Sequence, residues 1–302
     1  MSTASPAQLK LAWVVCWLTP VLWTTNLVVA RTAPGVVTPN VLALGRWSLA
    51  GLVLALIARQ ELWQHRHWIR GQAWRYLILG ACGMWVCGAW VYLAAFSTSA
   101  MNISLIYASA PVFIALGSVW WLGEHFTSRQ WVGVAIALSG VVHVVVRGEW
   151  MHLAQVALVP GDLWVLAASL AWAAYCLLQR HWPSPLGPTA QLAVICAGGV
   201  AVLLPCALWE LAQPDAPTLG RQAWGLIALG ALVPGLMAYW IYGWTQKVLG
   251  VSRVAVTMYL GPLYAALIAW FFLGEPLGWH HAAGAALILS GVALVMAARR
   301  AR

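Results

Sequence analysis

The sequence predicts an all-α membrane protein of ten transmembrane helices, arranged as two inverted five-helix repeats. Three observations carry this reading. The 302-residue chain is 63% hydrophobic and only 8% charged, with a mean hydropathy of +0.81. A water-soluble domain carries about 25% charged residues, so this chain lacks the polar side chains to cover a soluble surface. The apolar residues also run without interruption over stretches of about 20, the length that crosses a bilayer as a helix, whereas membrane β-strands alternate polar and apolar positions. Finally, the second half of the chain repeats the first.

Ten apolar runs lie at roughly 9–30, 39–59, 74–97, 102–122, 128–147, 161–180, 187–208, 222–246, 252–272 and 279–298. The first begins at a single lysine and has no small-residue cleavage site after it, so it reads as a retained helix rather than a signal peptide. The second contains Arg46, the one charged residue well inside a run. The fourth and ninth carry Pro111 and Pro262, the sixth opens on Gly161-Asp162, and the eighth is entered past Arg221. With the N-terminus on the cytoplasmic side, twelve of the basic residues fall in inside loops: Lys10, Arg59, Arg66, Arg70, Arg75, Arg129, Arg180, Lys247, Arg253, Arg299, Arg300 and Arg302. Only Arg31, Arg147 and Arg221 fall outside. This bias orients the spans with both termini inside, and it accounts for the net charge of +9 without a nucleic-acid partner.

The repeat appears on shifting the sequence by 151 residues, which lays Pro111…Leu122-Gly-Glu124 over Pro262…Leu273-Gly-Glu275 and Leu138-Ser-Gly-Val141 over Leu289-Ser-Gly-Val292. Thirteen of the 35 positions from 111 to 145 are then identical without a gap. Shared hydrophobicity does not explain matched Gly, Pro, Glu and Ser. The halves are 1–150 and 151–302. Five spans per half is an odd number, so the halves enter the membrane from opposite sides. Inverted repeats of this kind are typical of alternating-access transporters, with the substrate held near the midplane between the halves.

Several motifs resemble the paired EamA units of the drug/metabolite transporter superfamily. They are the two Pro-x10-Leu-Gly-Glu segments, Trp23-Thr-Thr-Asn26 (similar to that family's Trp-Gly-Ser-Asn), Arg46 in the second span, Gly161-Asp162 and Ala171-Trp172-Ala173. The likeness covers residues 9–298; Thr24-Thr25 in place of Gly-Ser departs from it. The resemblance implies a ten-helix, basket-shaped exporter of small metabolites in the inner membrane, and within it the aromatic-amino-acid exporters are the specific expectation.

Tryptophans near span ends read as interfacial anchors, but Trp17, Trp85, Trp172 and Trp240 fall near the middle of spans, as does Tyr264. A buried indole N–H needs a partner, so these five are expected to line a cavity. Asn26, Tyr107, Tyr175, Tyr239 and Tyr259 are the polar candidates beside them, able to hydrogen-bond an amino or carboxyl group, and equally able to bond neighbouring helices. Pro20, Pro111, Pro234 and Pro262 sit near span centres and are expected to open or kink their helices. Pro111 and Pro262, as a matched pair, are the candidate helix breaks for gating. Arg46 reads either as a structural hydrogen-bonding hub or as a carboxylate ligand, and His143 as packing.

All seven carboxylates (Glu61, Glu124, Glu149, Asp162, Glu210, Asp215 and Glu275) lie in loops or at span ends, and no two form a DD or DxxD pair. That excludes the clustered carboxylates of Mg2+-dependent prenyl or phosphoryl transfer, and no GxSxG or HExxH supports hydrolysis. His280 and His281, being adjacent, are expected to point apart. The six cysteines sit in apolar runs without a CxxC and read as small buried residues. No catalysis, metal or cofactor is expected. Without an intramembrane carboxylate to carry a proton, the expected activity is facilitated export of neutral or zwitterionic metabolites, aromatic amino acids first. A broader drug or neutral-amino-acid exporter (threonine, homoserine), proton-coupled through Asp162 or His143, is the second reading, and an intramembrane enzyme ranks last. The expected partners are a small-molecule substrate and the bilayer; a monomer fits.

Overall fold

The computed structural model describes residues 6–122, 126–152, 159–249, 261–276 and 278–297, and every regular element among these residues is helical. Helix α1 spans Pro6–Thr32 and α2 Pro39–Ile57; two short helices, α3 (Arg59–Gln64) and α4 (Arg66–Gly71), follow where the sequence led us to expect a loop. Neither short helix buries a residue. Their arginines and Trp63 and Trp68 have the composition of a segment lying along a membrane interface.

The third apolar run is α5 (Ala73–Gly80), a π-helical segment (Ala81–Ala89) and α6 (Trp90–Ala94). The fourth is α7 (Ala100–Tyr107) and α8 (Ala110–Leu122). There follow α9 (Ser128–Val145), α10 (Pro160–His181), α11 (Pro188–Leu211) and α12 (Arg221–Gly230). A second π-helical segment (Ala231–Met237) leads into α13 (Ala238–Leu249); the described chain ends with α14 (Gly261–Leu273) and α15 (Trp279–Ala297). Among the described residues seven helical runs are long and apolar enough to cross a bilayer: 7–32, 39–57, 73–94, 100–121, 160–181, 188–211 and 221–242. Their outer faces carry large exposed apolar side chains, among them Leu56, Trp120 and Trp209, as lipid contact requires.

The prolines act differently from one another. Helix α1 is continuous through Pro20. Pro111 lies in the first turn of α8, just past the interruption at Ala108–Ser109, and Pro262 falls in the described part of α14. Near Pro111, Ser109 donates to the carbonyl of Ile106 at 2.6 Å and Val112 N–H to that of Ser109 at 2.8 Å, which keeps the exposed backbone groups paired. Pro234 sits inside the second π-helical segment.

Close packing rests on small residues, as it does where helices meet without a hydrophobic driving force. A Cβ on Gly80 would lie 2.2 Å from the backbone nitrogen of Gly199, and one on Gly198 would lie 2.1 Å from the carbonyl oxygen of Tyr76. Helices α9 and α15 cross reciprocally: a Cβ on Gly140 would lie 2.8 Å from the backbone nitrogen of Ile288, and one on Gly291 would lie 2.4 Å from that of Ala137. Helices α2 and α11 run antiparallel and are fastened at both ends. The Glu210 carboxylate accepts from Asn40 N–H (2.9 Å), Val41 N–H (3.2 Å) and Asn40 Nδ2 (2.6 Å), while Glu61 accepts from Gly187 N–H at 2.5 Å. Helix α11 thus lends Glu210 to the unpaired donors at the start of α2, and α3, directly after α2, lends Glu61 to the start of α11.

Candidate functional site

Along α2 the residues Leu42, Arg46, Ala50 and Leu54 recur every four positions and are all buried, so the helical repeat that builds the packed face also carries a guanidinium into the bundle. Arg46 is 5% exposed. Its Nη1 donates to Asn26 Oδ1 on α1 and to the Tyr92 hydroxyl on α6, each at 2.9 Å, and Tyr92 in turn donates to Asn26 Oδ1 at 2.8 Å. The guanidinium also lies 4.4 Å from the ring centroid of Trp47, a cation–π contact. The hydrogen-bonding role expected of Arg46 is therefore present, with Asn26 as its acceptor. Removing the Tyr92 hydroxyl (Tyr92→Phe) takes one hydrogen bond from Arg46 and one from Asn26, which stay bonded to each other, at a cost of about 1–3 kcal/mol. We expect a lowered thermal midpoint in detergent; an unchanged midpoint would mean that the triangle adds nothing to stability.

The aromatic candidates gather around the two π-helical segments. Trp23 packs edge-on against Tyr239 (5.6 Å between centroids) and tilted against Tyr242 (5.1 Å), and Trp47 meets Tyr239 at 6.3 Å. Trp172 stacks on Tyr175 at 5.1 Å and 25°. Gly83, in the first π-helical segment, lets the Tyr175 ring approach the backbone: a Cβ there would lie 2.8 Å from it. Gly88, in the same segment, leaves room for the Trp47 indole nitrogen. The Tyr107 hydroxyl is 2.6 Å from Cys87 Sγ.

The remaining candidates are placed elsewhere. Trp85 donates its indole N–H to Asn40 Oδ1 at 3.0 Å and belongs to a second aromatic series with Trp90 and Trp164. Trp17 and Trp240 are 45% and 62% exposed, on the same faces as exposed Trp13, Val14, Leu18 and Met237, because their helical phase turns them away from the packed side. The structure does not bring these two into the group. Tyr264 is half-buried on α14 and shares no ring contact or hydrogen bond with the group among the described residues. Tyr259 lies outside the described residues. Trp23, Trp47 and Tyr92 were not singled out from the sequence. Trp23 and Asn26 stand three apart on one helical face within a quoted motif, a signal that could have found Trp23. The Thr24 and Thr25 hydroxyls donate to the carbonyls of Val21 and Leu22 in their own helix.

One end of the bundle is tied by polar contacts. Arg31 pairs with Glu275 at 3.3 Å and donates to the carbonyls of Ala95 and Thr98. Glu275 accepts from Ala100 N–H at 3.0 Å, at the start of α7. Asp162, buried in the first turn of α10, accepts from Thr98 Oγ1 and from Asn102 Nδ2. Asn102 Oδ1 lies 3.3 Å from His281 Nε2, while His281 Nδ1 accepts from Gly278 N–H, which leaves the proton on Nε2. Because His281 folds back to meet that N–H, its ring lies 4.0 Å from that of His280 rather than pointing away from it. His143 takes a hydrogen bond from Trp150 and packs against Trp279, as a packing residue would.

Helices that meet at glycines, the buried Arg46 and two spans interrupted by π-helical segments are thus brought into one apolar bundle. Residues 11–146 and again 159–297 match the EamA-like transporter family. The chain belongs to the EamA-like transporter family. As an EamA-like protein it is a multi-pass membrane transporter. It is 26% identical over 87% of its length to the Bacillus subtilis protein named "Uncharacterized transporter YyaM", covering 86% of that chain. It is 27% identical to an "Uncharacterized transporter" of Archaeoglobus fulgidus (93% of this chain, 95% of that one). It is 29% identical to a "Probable terminal-alkyne amino-acid exporter" of Streptantibioticus cattleyicolor (95% and 93%). A solved crystal structure shares the fold with a TM-score of 0.62 over 96% of this chain and 98% of that one, at 22% identity.

Proposed function

We propose that this transporter exports small neutral or zwitterionic metabolites, aromatic amino acids first, by alternating access between two inverted five-helix repeats, 1–150 and 151–302. The ten spans are the seven long runs together with α9, α15 and the ninth apolar run, of which α14 is the described part. Reciprocal contacts support the inversion: the carboxylates exchanged between the α2–α3 segment and α11, the Gly140 and Gly291 crossings one repeat apart, and π-helical segments beginning at residues 81 and 231. Interruptions at matched positions of two halves point to the transport site, and π-bulges recur at functional sites.

The substrate reading is supported by aromatic side chains from both halves at the interrupted spans: Trp23 and Trp47 against Tyr239, Trp172 on Tyr175 beside Gly83, and Tyr107 on Cys87, with Trp47 also against Arg46. Aromatic faces take an apolar side chain, and the hydroxyls, Asn26 and the guanidinium take polar ends. The amino-acid exporter among the relatives supports the same class. The excess of arginine and lysine assigned to inside loops puts both termini in the cytoplasm of an inner-membrane protein. The Arg31–Glu275 contact then lies at the outer end, and Pro111 and Pro262 serve as the pivots of the fourth and ninth spans.

Uptake and counterflow of radiolabelled amino acids in proteoliposomes tests this. Saturable phenylalanine flux, indifferent to an imposed pH gradient, is the expected result; absence of flux for any amino acid would remove the substrate assignment. Trp172→Ala should lower phenylalanine flux about tenfold more than threonine flux, the scale set by one stacking contact of roughly 0.5–1.5 kcal/mol and the apolar area lost with it. Equal losses would place Trp172 in a shared gate. The hydrogen-bonded series from His281 through Asn102 to Asp162 favours the second reading, proton coupling, and gradient-driven flux would establish it.

A further inference from the structure

Among the described residues Arg46 is a cation with no counter-charge. Glu61 and Glu210 are held at helix starts, Glu275 by α7 and Arg31, and Asp162 by Thr98 and Asn102. Glu149 and Asp215 are exposed, and Glu124 lies outside the described residues. Asn26 and Tyr92 are neutral acceptors, and both use the same nitrogen, Nη1. Nε is buried and has no hydrogen-bond partner. A buried guanidinium compensated only by dipoles is costly in a membrane, and an orphaned charged donor adds to that cost.

The side of the guanidinium that carries Nε faces the second π-helical segment, and there the sequence places glycine. A Cβ on Gly235 would be 3.7 Å from Nε, and one on Gly230 would be 3.6 Å from Arg46 Cδ. Nε and the second terminal nitrogen form the edge that binds a carboxylate through two parallel N–H···O bonds.

We infer that Arg46 is the substrate's anchor and that the transported compounds carry a carboxylate, which pairs with the Nε edge of the guanidinium while the aromatic group receives the rest of the molecule. The inference rests on the transporter reading above and narrows it: uncharged and purely cationic compounds are poor substrates, whereas amino acids and aryl-substituted monocarboxylates share the required group.

The test compares phenylalanine, 3-phenylpropionate and phenylalaninamide as counterflow substrates of the intact protein in proteoliposomes. The wild type should carry the two carboxylates at least about tenfold faster than the amide, the discrimination expected of a charge-assisted pair. Arg46→Gln should abolish that preference, bringing the ratio to within about threefold. Arg46→Lys keeps the charge without the fork and should retain part of the preference, so the test holds even where the glutamine variant does not fold. An amide carried by the wild type as fast as phenylalanine overturns the anchor and leaves the transporter reading intact, as does an Arg46→Gln protein with unchanged flux and preference. No saturable flux of any of the three by the wild type overturns the amino-acid reading and this inference with it.

Discussion

Gly80→Ala is expected to leave little or no folded protein in detergent, although it adds a single methyl group. The new Cβ would lie 2.2 Å from the nitrogen and 2.7 Å from the Cα of Gly199, and 2.5 Å from the carbonyl carbon of Gly198. All three are backbone atoms of α11, so no side chain can rotate aside, and relief requires the helices to separate. Overpacking in a tight core costs about 1–3 kcal/mol even where side chains can adjust, and here the loss extends along the whole α5–α11 contact. Gly225→Ala is the matched control, because a Cβ there meets nothing within 4 Å and alanine is favoured over glycine in a helix by about 1 kcal/mol. Thermal midpoints from size-exclusion chromatography should fall steeply or be unmeasurable for the first variant and hold or rise for the second. Equal midpoints would show that α5 and α11 are not in backbone contact.

Glu275→Gln should release the tied end. The carboxylate serves Arg31 and the first N–H of α7 together, so its neutralisation weakens a salt bridge and a helix-start contact at once. Arg31 is one-third exposed, which discounts the pair well below the 3–5 kcal/mol of a fully buried one; a shift of about tenfold in the open population is the expected scale. A membrane-impermeant thiol reagent applied from the outer face should then modify Cys87, beside Tyr107, about tenfold faster, with Cys87→Ser assigning the signal. Unchanged labelling would mean that the Arg31–Glu275 contact does not hold that end shut.

The run boundaries were legible because a bilayer imposes one length and one polarity on every span, and the glycine, proline and glutamate matches revealed the repeat. The π-helical segments were not. Ala81–Ala89 contains no proline, and its extra turn width follows from what packs on it, the Tyr175 ring at Gly83 and the Trp47 indole at Gly88. Among the midspan aromatics, depth in the sequence said nothing of direction. Trp172 turns inward and Trp240 outward at similar depth, because a rotation of 100° per residue decides the face and the neighbours of each helix were unknown. Arg46 was recognisable as exceptional from its charge alone, but its partners, 20 and 46 residues away in the chain, required the fold.

The carboxylate that α11 lends to α2 has a consequence for biosynthesis. Asn40 and Val41 wait for a partner, Glu210, that is made 170 residues later. At the usual 5–20 residues per second, that is an interval of roughly 10–30 s, during which α2 is already in the membrane with its leading amides unsatisfied by protein. The first five helices therefore do not complete themselves as they emerge. The final locking of α2 is deferred until α11 has been made, and a chain released before Glu210 would lack that lock.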